Sequence, residues 1–145
     1  MNEWDREPDH LEFESHGLRA LVLRNPTFGH LNGYLAIPNT HVLWGIDDVL
    51  AEISSHKGWS YASACHPHTN EEDGYWWIGF DCAHGGDFLP NEPDYLKVLQ
   101  LKPSPRPRRK VYRNLSYVRG VLEEAAFQVS TYMGPNIVMF GGKPR

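Results

Sequence analysis

The stretch that decides the fold is Tyr75-Trp76-Trp77-Ile78-Gly79-Phe80, which has the highest β-propensity in the chain. Aromatic and β-branched side chains dominate it, and such side chains pack well on a pleated surface. Because successive side chains of a strand point to opposite faces, Trp76 and Ile78 should face away from Trp77 and Gly79. We predict that residues 75–80 form an internal strand at the centre of a sheet.

Shorter strands are predicted on the N-terminal side of this stretch. Residues 11–28 are expected to form an antiparallel hairpin, with alternating apolar and polar residues around a turn at Ser15-His16-Gly17. Gly33 to Pro38 is a second candidate, which ends at a proline that cannot continue a ladder. Trp59-Ser60-Tyr61 is a third candidate. The sheet should therefore be mainly antiparallel.

One long amphipathic helix is predicted near the C-terminal end. Its apolar residues recur at helical spacing and are Leu115, Val118, Val121, Leu122, Ala125, Ala126 and Val129. Asn114 is a suitable N-cap for this helix. The apolar stripe should pack on one face of the sheet, which makes the fold class α+β.

The chain is expected to form a single domain over residues 1–145, because a chain of 145 residues can bury a sizeable core. No internal repeat marks a second unit. Residues 102–110 are rich in proline and basic side chains, which excludes a helix and a central strand there. We expect this segment to be a basic surface loop.

Charge and cysteine content exclude several classes of protein. A net charge of −4 and a pI near 6.0 argue against general nucleic-acid binding, which needs a basic face. Two cysteines are too few for a disulfide scaffold, and the N-terminal residues lack the pattern of a signal peptide. Apolar runs are far shorter than a membrane span. The sequence therefore predicts a cytoplasmic protein with no membrane partner.

Four spaced motifs occur in one order along the chain. They are Gly29-His30-Leu31-Asn32-Gly33-Tyr34, His56-Lys57-Gly58-Trp59-Ser60-Tyr61, residues 76–87 with the letters WWIGFDCAHGGD, and Tyr112-Arg113-Asn114-Leu115-Ser116-Tyr117-Val118. This order resembles a family of small bacteriophage and prophage proteins with the motifs GH..GY, HGG.TY, WW.GFD.AH.GD and YRD..YV. Lys57 and Asn114 depart from the glycine and aspartate of that pattern. The resemblance implies an accessory role against a host, such as anti-defence.

The candidate catalytic residues are Asp81, His84 and Asp87, which follow the strongest strand. Loops at strand ends are where rigid scaffolds present functional groups. Gly85 and Gly86 lie between them and could adopt positive φ or direct their amides at an anion. Truncation of His84 or Asp87 should spare the fold, because both lie in a loop. The structural alternative is that Asp81 caps the loop, His84 is a buried hydrogen-bonding residue and the glycines only make a turn.

Two further histidines, His30 and His56, lie beside glycines in the first two motifs. If their strands are neighbours, both could converge with His84 and the two aspartates on one cavity. Such a set could bind a divalent metal ion or act without metal as acid and base. The sequence leaves the presence of a metal open. Structural zinc at Cys65, His68, Cys82 and His84 is a weaker alternative, since the ligand spacing is atypical.

Residues of the fourth motif are candidate ligand contacts. Arg113, flanked by Tyr112 and Tyr117, suits a phosphate beside a base, although both tyrosines could equally be packed in the core. The remaining basic cluster lies in the proline-rich loop and is more typical of a solvated surface; it comprises Arg106, Arg108, Arg109 and Lys110.

Three functions are compatible with these residues. The first is capture of a small nucleotide-like phosphorylated ligand, with His30, His56, Gly85, Gly86, Tyr112, Arg113 and Tyr117 as ligand contacts. The second is metal-dependent or histidine-based hydrolysis of a phosphodiester by Asp81, His84 and Asp87. The third is inhibition of a host enzyme by protein contact. Binding ranks first, because the chain has no nucleophile elbow, P-loop or standard metal signature. Association of two copies of the chain is also left open.

Overall fold

The computed structural model describes residues 1–47, 50–102 and 109–132. Its five strands are β1 (His10–Ser15), β2 (Leu18–Arg24), β3 (Leu31–Ile37), β4 (Tyr61–Cys65) and β5 (Glu72–Asp81). The α-helices are α1 (Glu92–Val98) and α2 (Leu115–Thr131), and short 3-10 helices cover Glu3–Arg6 and Leu50–Glu52. The strands form one antiparallel sheet in the order β1-β2-β3-β5-β4, which confirms the α+β class.

The first two strands form the predicted hairpin. His16 and Gly17 make its turn with φ of 50° and 78°. Positive φ at both central residues is typical of the two-residue turns whose twist matches that of the strands. Exposure alternates along β1, whereas β2 is largely buried. The hairpin therefore supplies one edge of the sheet and part of the core.

β5 is an internal strand, as predicted, but it is not the middle one. It lies between β3 and the edge strand β4, so that β3 occupies the centre. β5 also begins at Glu72, because a long hairpin pairs Cys65 with Glu72. Alternation is as expected, with Trp77 in a small cluster on one face and Ile78 in the main core on the other.

The segment predicted as a third strand was placed too early. Trp59 and Ser60 precede β4, which begins at Tyr61. The Trp59 indole donates to the Ile53 carbonyl at 2.9 Å, and its ring packs against Phe80 with centroids 5.7 Å apart. These contacts hold Trp59 in the loop. Its side chain packs beside the core, and its backbone lies before the start of β4.

α2 covers one face of the sheet, as the apolar spacing predicts. Asn114 is its N-cap, and the side-chain oxygen accepts from the Tyr117 amide at 2.8 Å. The buried residues of α2 are Val118, Leu122, Ala125, Ala126 and Val129. Close approach of α2 to the sheet depends on Gly33, where an added Cβ would lie 2.6 Å from Phe80 and 3.1 Å from Val118.

Some features were not predicted or lie outside the described residues. The short helix α1 was missed, since proline and charged residues obscure its period. In the basic loop, residues 103–108 lie outside the described part, and with them Arg106 and Arg108. Arg109 and Lys110 are exposed, and Lys110 is paired with Glu92 at 3.6 Å. None of the helices in the described ranges has the length and apolar character needed to cross a bilayer.

Candidate functional site

The polar loop after β5 is joined to the segment that leads into α2. The Asp87 amide donates to the His84 carbonyl at 2.8 Å and closes a turn over residues 84–87. Val111 then pairs with this loop in parallel fashion, donating to Gly86 O at 3.0 Å and accepting from the Phe88 amide at 2.8 Å. Because Val111 is so close in sequence to Arg113, this pairing brings the fourth motif to the third.

Asp87 is the centre of the resulting cluster. Its side chain is buried, and Oδ1 accepts from Arg113 Nε at 2.9 Å. Oδ2 contacts His56 Nε2 at 2.8 Å and accepts from the His84 amide at 3.0 Å. Burial opposes ionisation of Asp87, but the hydrogen bonds from Arg113, His56 and the His84 amide outweigh it, and the pKa of Asp87 lies below its ordinary value. The carboxyl group is therefore an ionised anchor.

The burial of Asp87 corrects the expectation that its truncation spares the fold. The residue follows a strand in a glycine-rich loop, but the loop folds inward and leaves it 1% exposed. Removing the carboxylate would leave His56 and Arg113 without their partner, and breaking a buried pair in this way costs about 3–5 kcal/mol. Asp87 thus organises the site through its contacts with His56, the His84 amide and Arg113.

His56 extends the cluster to α2. Its Nδ1 lies 2.6 Å from the Tyr117 hydroxyl, while Nε2 faces Asp87. The imidazole is only 3% exposed, and its ring lies against those of Phe80 and Tyr117. Both ring nitrogens are engaged, so His56 is held in one orientation.

His84 is the member of the cluster that reaches the surface. Its side chain is 32% exposed, and Nδ1 lies 3.7 Å from both Asp81 Oδ1 and Asp87 Oδ2. That Nδ1 atom is buried, and no residue in the described part of the chain forms a hydrogen bond with it. A partly exposed imidazole next to two carboxylates is suited to exchange protons or to bind a ligand.

Asp81 has the capping role that the structural alternative foresaw. Its Oδ1 accepts from the Ala83 amide at 3.0 Å, and Oδ2 accepts from Ser60 Oγ at 3.1 Å. The side chain stays half-exposed on the rim of the cluster. It therefore ends β5, links the loop at Ser60 to the site and remains accessible.

The glycines of the loop do not use positive φ, contrary to one expectation. Gly85 and Gly86 have ordinary backbone angles, whereas Lys57 and Gly58 have φ of 61° and 101°. The strained turn therefore lies in the second motif. It brings Lys57 Nζ to 3.8 Å from the position that a Cβ on Gly86 would occupy. An added Cβ on Gly85 would meet no atom of the described residues within 4 Å.

Two of the predicted ligand contacts lie outside the cluster. His30 is buried and stacks on Phe28, although Asp81 and Asp87 are near enough to act on its charge. Burial is the main effect and lowers the pKa of His30. Tyr112 belongs to a separate network, in which its hydroxyl donates to Glu7 at 2.6 Å and accepts from Arg24 at 3.0 Å. Burial and Glu7 raise the pKa of Tyr112.

Arg113 and Tyr117 do lie at the cluster. The guanidinium carbon of Arg113 lies 5.0 Å from the centre of the Tyr117 ring, in a cation–π contact. Arg113 Nε donates to Asp87 Oδ1, and the Arg113 side chain is 24% exposed. Tyr117 is 37% exposed, and burial raises its pKa. Both side chains therefore line the accessible rim beside His84.

A groove next to the cluster was not foreseen from the sequence. Its volume is about 720 Å³, and its lining includes Leu50, Lys57, Trp59, Ser60 and Tyr61. Lys57 and Ser60 belong both to the groove and to the rim of the cluster, through Gly86 and Asp81. The sequence signal that could have pointed to this region is Lys57, which lies between a histidine and a glycine in the second motif.

The structure gives no support to the alternative of a zinc site that contains Cys65 and Cys82. Within residues 1–47, 50–102 and 109–132, the His/Cys/Asp/Glu donors that lie close enough for one metal ion are those of His56, His84 and Asp87. Cys82 is buried in the core, and burial raises its pKa to about 12. A neutral thiol of this kind is a packing residue and a poor metal ligand.

Comparisons with protein-family models, with curated proteins and with solved structures found no match for this chain. The functional features of the described residues are the cluster formed by His56, His84 and Asp87 and the side chains on its rim.

Proposed function

We propose that this protein binds a small phosphorylated, nucleotide-like ligand at the rim of the His56–His84–Asp87 cluster. The observation that carries the proposal is the position of Lys57, which lines the adjoining groove and has its ammonium nitrogen 3.8 Å from the position of a Cβ on Gly86. A phosphate needs a few local donors, and Lys57, Arg113 and the His84 imidazole supply them on one side.

The groove supports the non-phosphate part of the ligand. Its volume of about 720 Å³ lies in the range of small-molecule sites. Trp59 and Tyr61 line it and offer aromatic surface, and Ser60 adds a hydroxyl group. Aromatic side chains of this kind stack on nucleobases whatever their identity. The combination of a cationic end and an aromatic groove therefore favours a nucleotide over inorganic phosphate alone.

The scaffold beneath the rim supports the same proposal. Asp87 holds Arg113, His56 and the His84 backbone at fixed positions, with all four groups joined by hydrogen bonds of 2.8–3.0 Å. Groups held in advance in this way lose little freedom when a ligand binds. His84 and Arg113 are thereby ready for a ligand before it arrives.

Titration calorimetry of the full chain with a panel of nucleotides, cyclic nucleotides and inorganic phosphate tests this proposal. We expect a nucleotide to bind with one site per chain, and His84→Ala to weaken it by at least about tenfold, which is about 1.4 kcal/mol. His68→Ala is the matched control, because His68 is exposed and its ring makes an edge-to-face contact with His10 away from the cluster. Absence of binding across the panel would rule the proposal out.

A second candidate function is histidine-based hydrolysis of a phosphodiester. It is favoured by one observation, the position of His84 Nδ1 at 3.7 Å from both Asp81 Oδ1 and Asp87 Oδ2, since histidine is the side chain that most often serves as general acid or base. To separate it from capture, the protein is incubated with cyclic nucleotides, denatured and analysed by chromatography. Intact ligand indicates capture, whereas linear products that depend on His84 indicate an enzyme.

The phage-like motifs give the binding proposal a biological setting. Capture of a host signalling nucleotide in the host cytoplasm would make the protein an accessory anti-defence factor. A phage-rescue assay with wild type and His84→Ala tests this role, and equal rescue by both would contradict it. If no nucleotide binds, inhibition of a host protein becomes the leading function, and a pull-down with the wild-type chain is the next experiment.

A further inference from the structure

We propose that His56, His84 and Asp87 together bind one divalent transition-metal ion of the zinc type. One donor atom from each of these residues lies within 4.8 Å of the other two. Binding of the ion does not depend on the proposed function. A further step, in which the bound ion contacts a phosphate group of the ligand, does rest on that function.

The donor distances are close to those that one ion requires. Two nitrogen or oxygen donors bound to Zn²⁺ at ordinary bond lengths in a tetrahedral site are about 3.3 Å apart. His84 Nδ1 is 3.7 Å from Asp87 Oδ2, and His56 Nε2 is 2.8 Å from the same oxygen. The donors of His56 and His84 lie within 4.8 Å of each other. One ion therefore requires the partly exposed His84 ring to rotate and the His56–Asp87 contact to widen, so that all three donors approach this spacing.

The His84 donor has no hydrogen-bond partner among the residues that the structure describes. Its Nδ1 is buried beside the two carboxylates, and no hydrogen bond reaches it from the described residues. Buried polar atoms are normally satisfied by a protein group, a water or an ion. A metal ion between His84 and Asp87 satisfies this nitrogen and the carboxylate at once.

Two residues that contact the donor residues, Tyr117 and Arg113, are placed like the outer shell of a metal site. The Tyr117 hydroxyl lies 2.6 Å from His56 Nδ1, and Arg113 binds Asp87 Oδ1 at 2.9 Å. Ligating histidines and carboxylates usually have their other atoms held in this way. When His56 Nε2 binds the ion, Nδ1 carries the ring proton and donates a hydrogen bond to the Tyr117 hydroxyl oxygen. Asp87 binds through Oδ2 and keeps Arg113 on Oδ1, so that the guanidinium need not leave.

The donor types select the class of metal. Two imidazoles and one carboxylate suit Zn²⁺ and similar ions, whereas Mg²⁺ and Ca²⁺ prefer oxygen ligands only. Three protein ligands leave at least one coordination position open. Because the His84 side chain is 32% exposed, a ligand phosphate can reach the ion from the side of this residue.

The experiment uses the full chain, freed of metal with a chelator and then dialysed. Zn²⁺ is titrated by calorimetry, and Co²⁺ is added as a probe whose visible absorption reports coordination. We expect one ion per chain, and His84→Ala should weaken binding by at least about 100-fold, since loss of an outer-shell partner alone costs 10–100-fold. Tyr117→Phe should weaken it by about tenfold. Circular dichroism checks that each variant is folded.

His68→Ala is the control, because the His10 and His68 rings are 4.9 Å apart and could bind Zn²⁺ by chance. Loss of binding in His68→Ala but not in His84→Ala would overturn the proposed site, as would binding of Mg²⁺ in place of Zn²⁺ or no binding at all. If the wild type binds no Zn²⁺ but binds a nucleotide equally well with and without Zn²⁺, the proposed function holds and the ion site does not. Zn²⁺ binding without nucleotide binding would leave the ion site standing without that function.

Discussion

Asp87 Oδ2 and His56 Nε2 are 2.8 Å apart in the buried interior of the site, although the two residues come from different motifs of the sequence. His56 lies in the loop before β4, and Asp87 lies in the loop after β5. Their contact ties both loops to α2 through Tyr117 and to the segment before α2 through Arg113. One buried carboxylate therefore holds both loops and the start of α2 together.

Asp87→Asn should lower the free energy of unfolding by about 3 kcal/mol, because Arg113 and His56 lose their charged partner in a buried setting. Urea unfolding monitored by circular dichroism measures the change. Asp81→Asn is the matched control, since Asp81 is half-exposed and should cost less than about 1 kcal/mol. Equal costs for the two variants would contradict the central role of Asp87.

Acid should remove the contribution of Asp87 to stability. Its folded pKa lies below the ordinary value of 3.8, so the stabilisation is present above pH 3.8 and is lost as the pH falls through the folded pKa. Unfolding is compared at about pH 4.5 and about pH 2.5, and Asp87→Asn should lose less stability between them than the wild type. Parallel losses in both proteins would show that other groups account for the effect.

His30 should give a separate pH dependence. Burial lowers its pKa from the ordinary value of 6.5, so the unfolded chain takes up a proton that the folded protein resists. The free energy of unfolding should therefore fall as the pH drops below 6.5 towards the folded pKa. A His30→Phe variant should show a flatter profile over this window, measured by thermal unfolding. An unchanged slope would assign the effect elsewhere.

Gly79→Ala should destabilise the protein by about 1–3 kcal/mol, because the sheet leaves no space for a methyl group. The Tyr34 ring covers Gly79, and an added Cβ would lie 2.6 Å from Tyr34 Cε1. Gly85→Ala is the control, since a Cβ there meets no described atom within 4 Å. Thermal unfolding of both variants decides the point, and similar melting temperatures would contradict the fit around Tyr34.

Lys57→Gly should change stability and ligand binding in opposite directions. Lys57 has φ of 61°, a conformation that costs a non-glycine residue about 1 kcal/mol, so glycine should stabilise the fold by up to that amount. Loss of the ammonium group should weaken nucleotide binding by about tenfold or more. Lys97→Gln controls for the loss of one positive charge on the exposed surface. Unchanged affinity in Lys57→Gly would remove Lys57 from the binding site.

Much of the fold could be predicted because its signals are local. Alternation in β1, the β-propensity of residues 75–80 and the apolar spacing of α2 each depend on residues that are near in sequence. The bounds of β4 and the place of β3 at the centre of the sheet could not be predicted in this way. They depend on which strands pair, and on Trp59 packing against Phe80 instead of joining the ladder.

For the site, the sequence by itself determined which residue types are present and that His84, Asp81 and Asp87 follow a strand. Only the tertiary structure decided that Asp87 is buried and ion-paired while His84 is accessible, and that His56 and Arg113 join them whereas His30 and Tyr112 do not. Burial and pairing depend on the parallel contact of Val111 with the loop at Asp87. That contact joins residues far apart in the chain, and spacing within a single sequence carries no information about such an encounter.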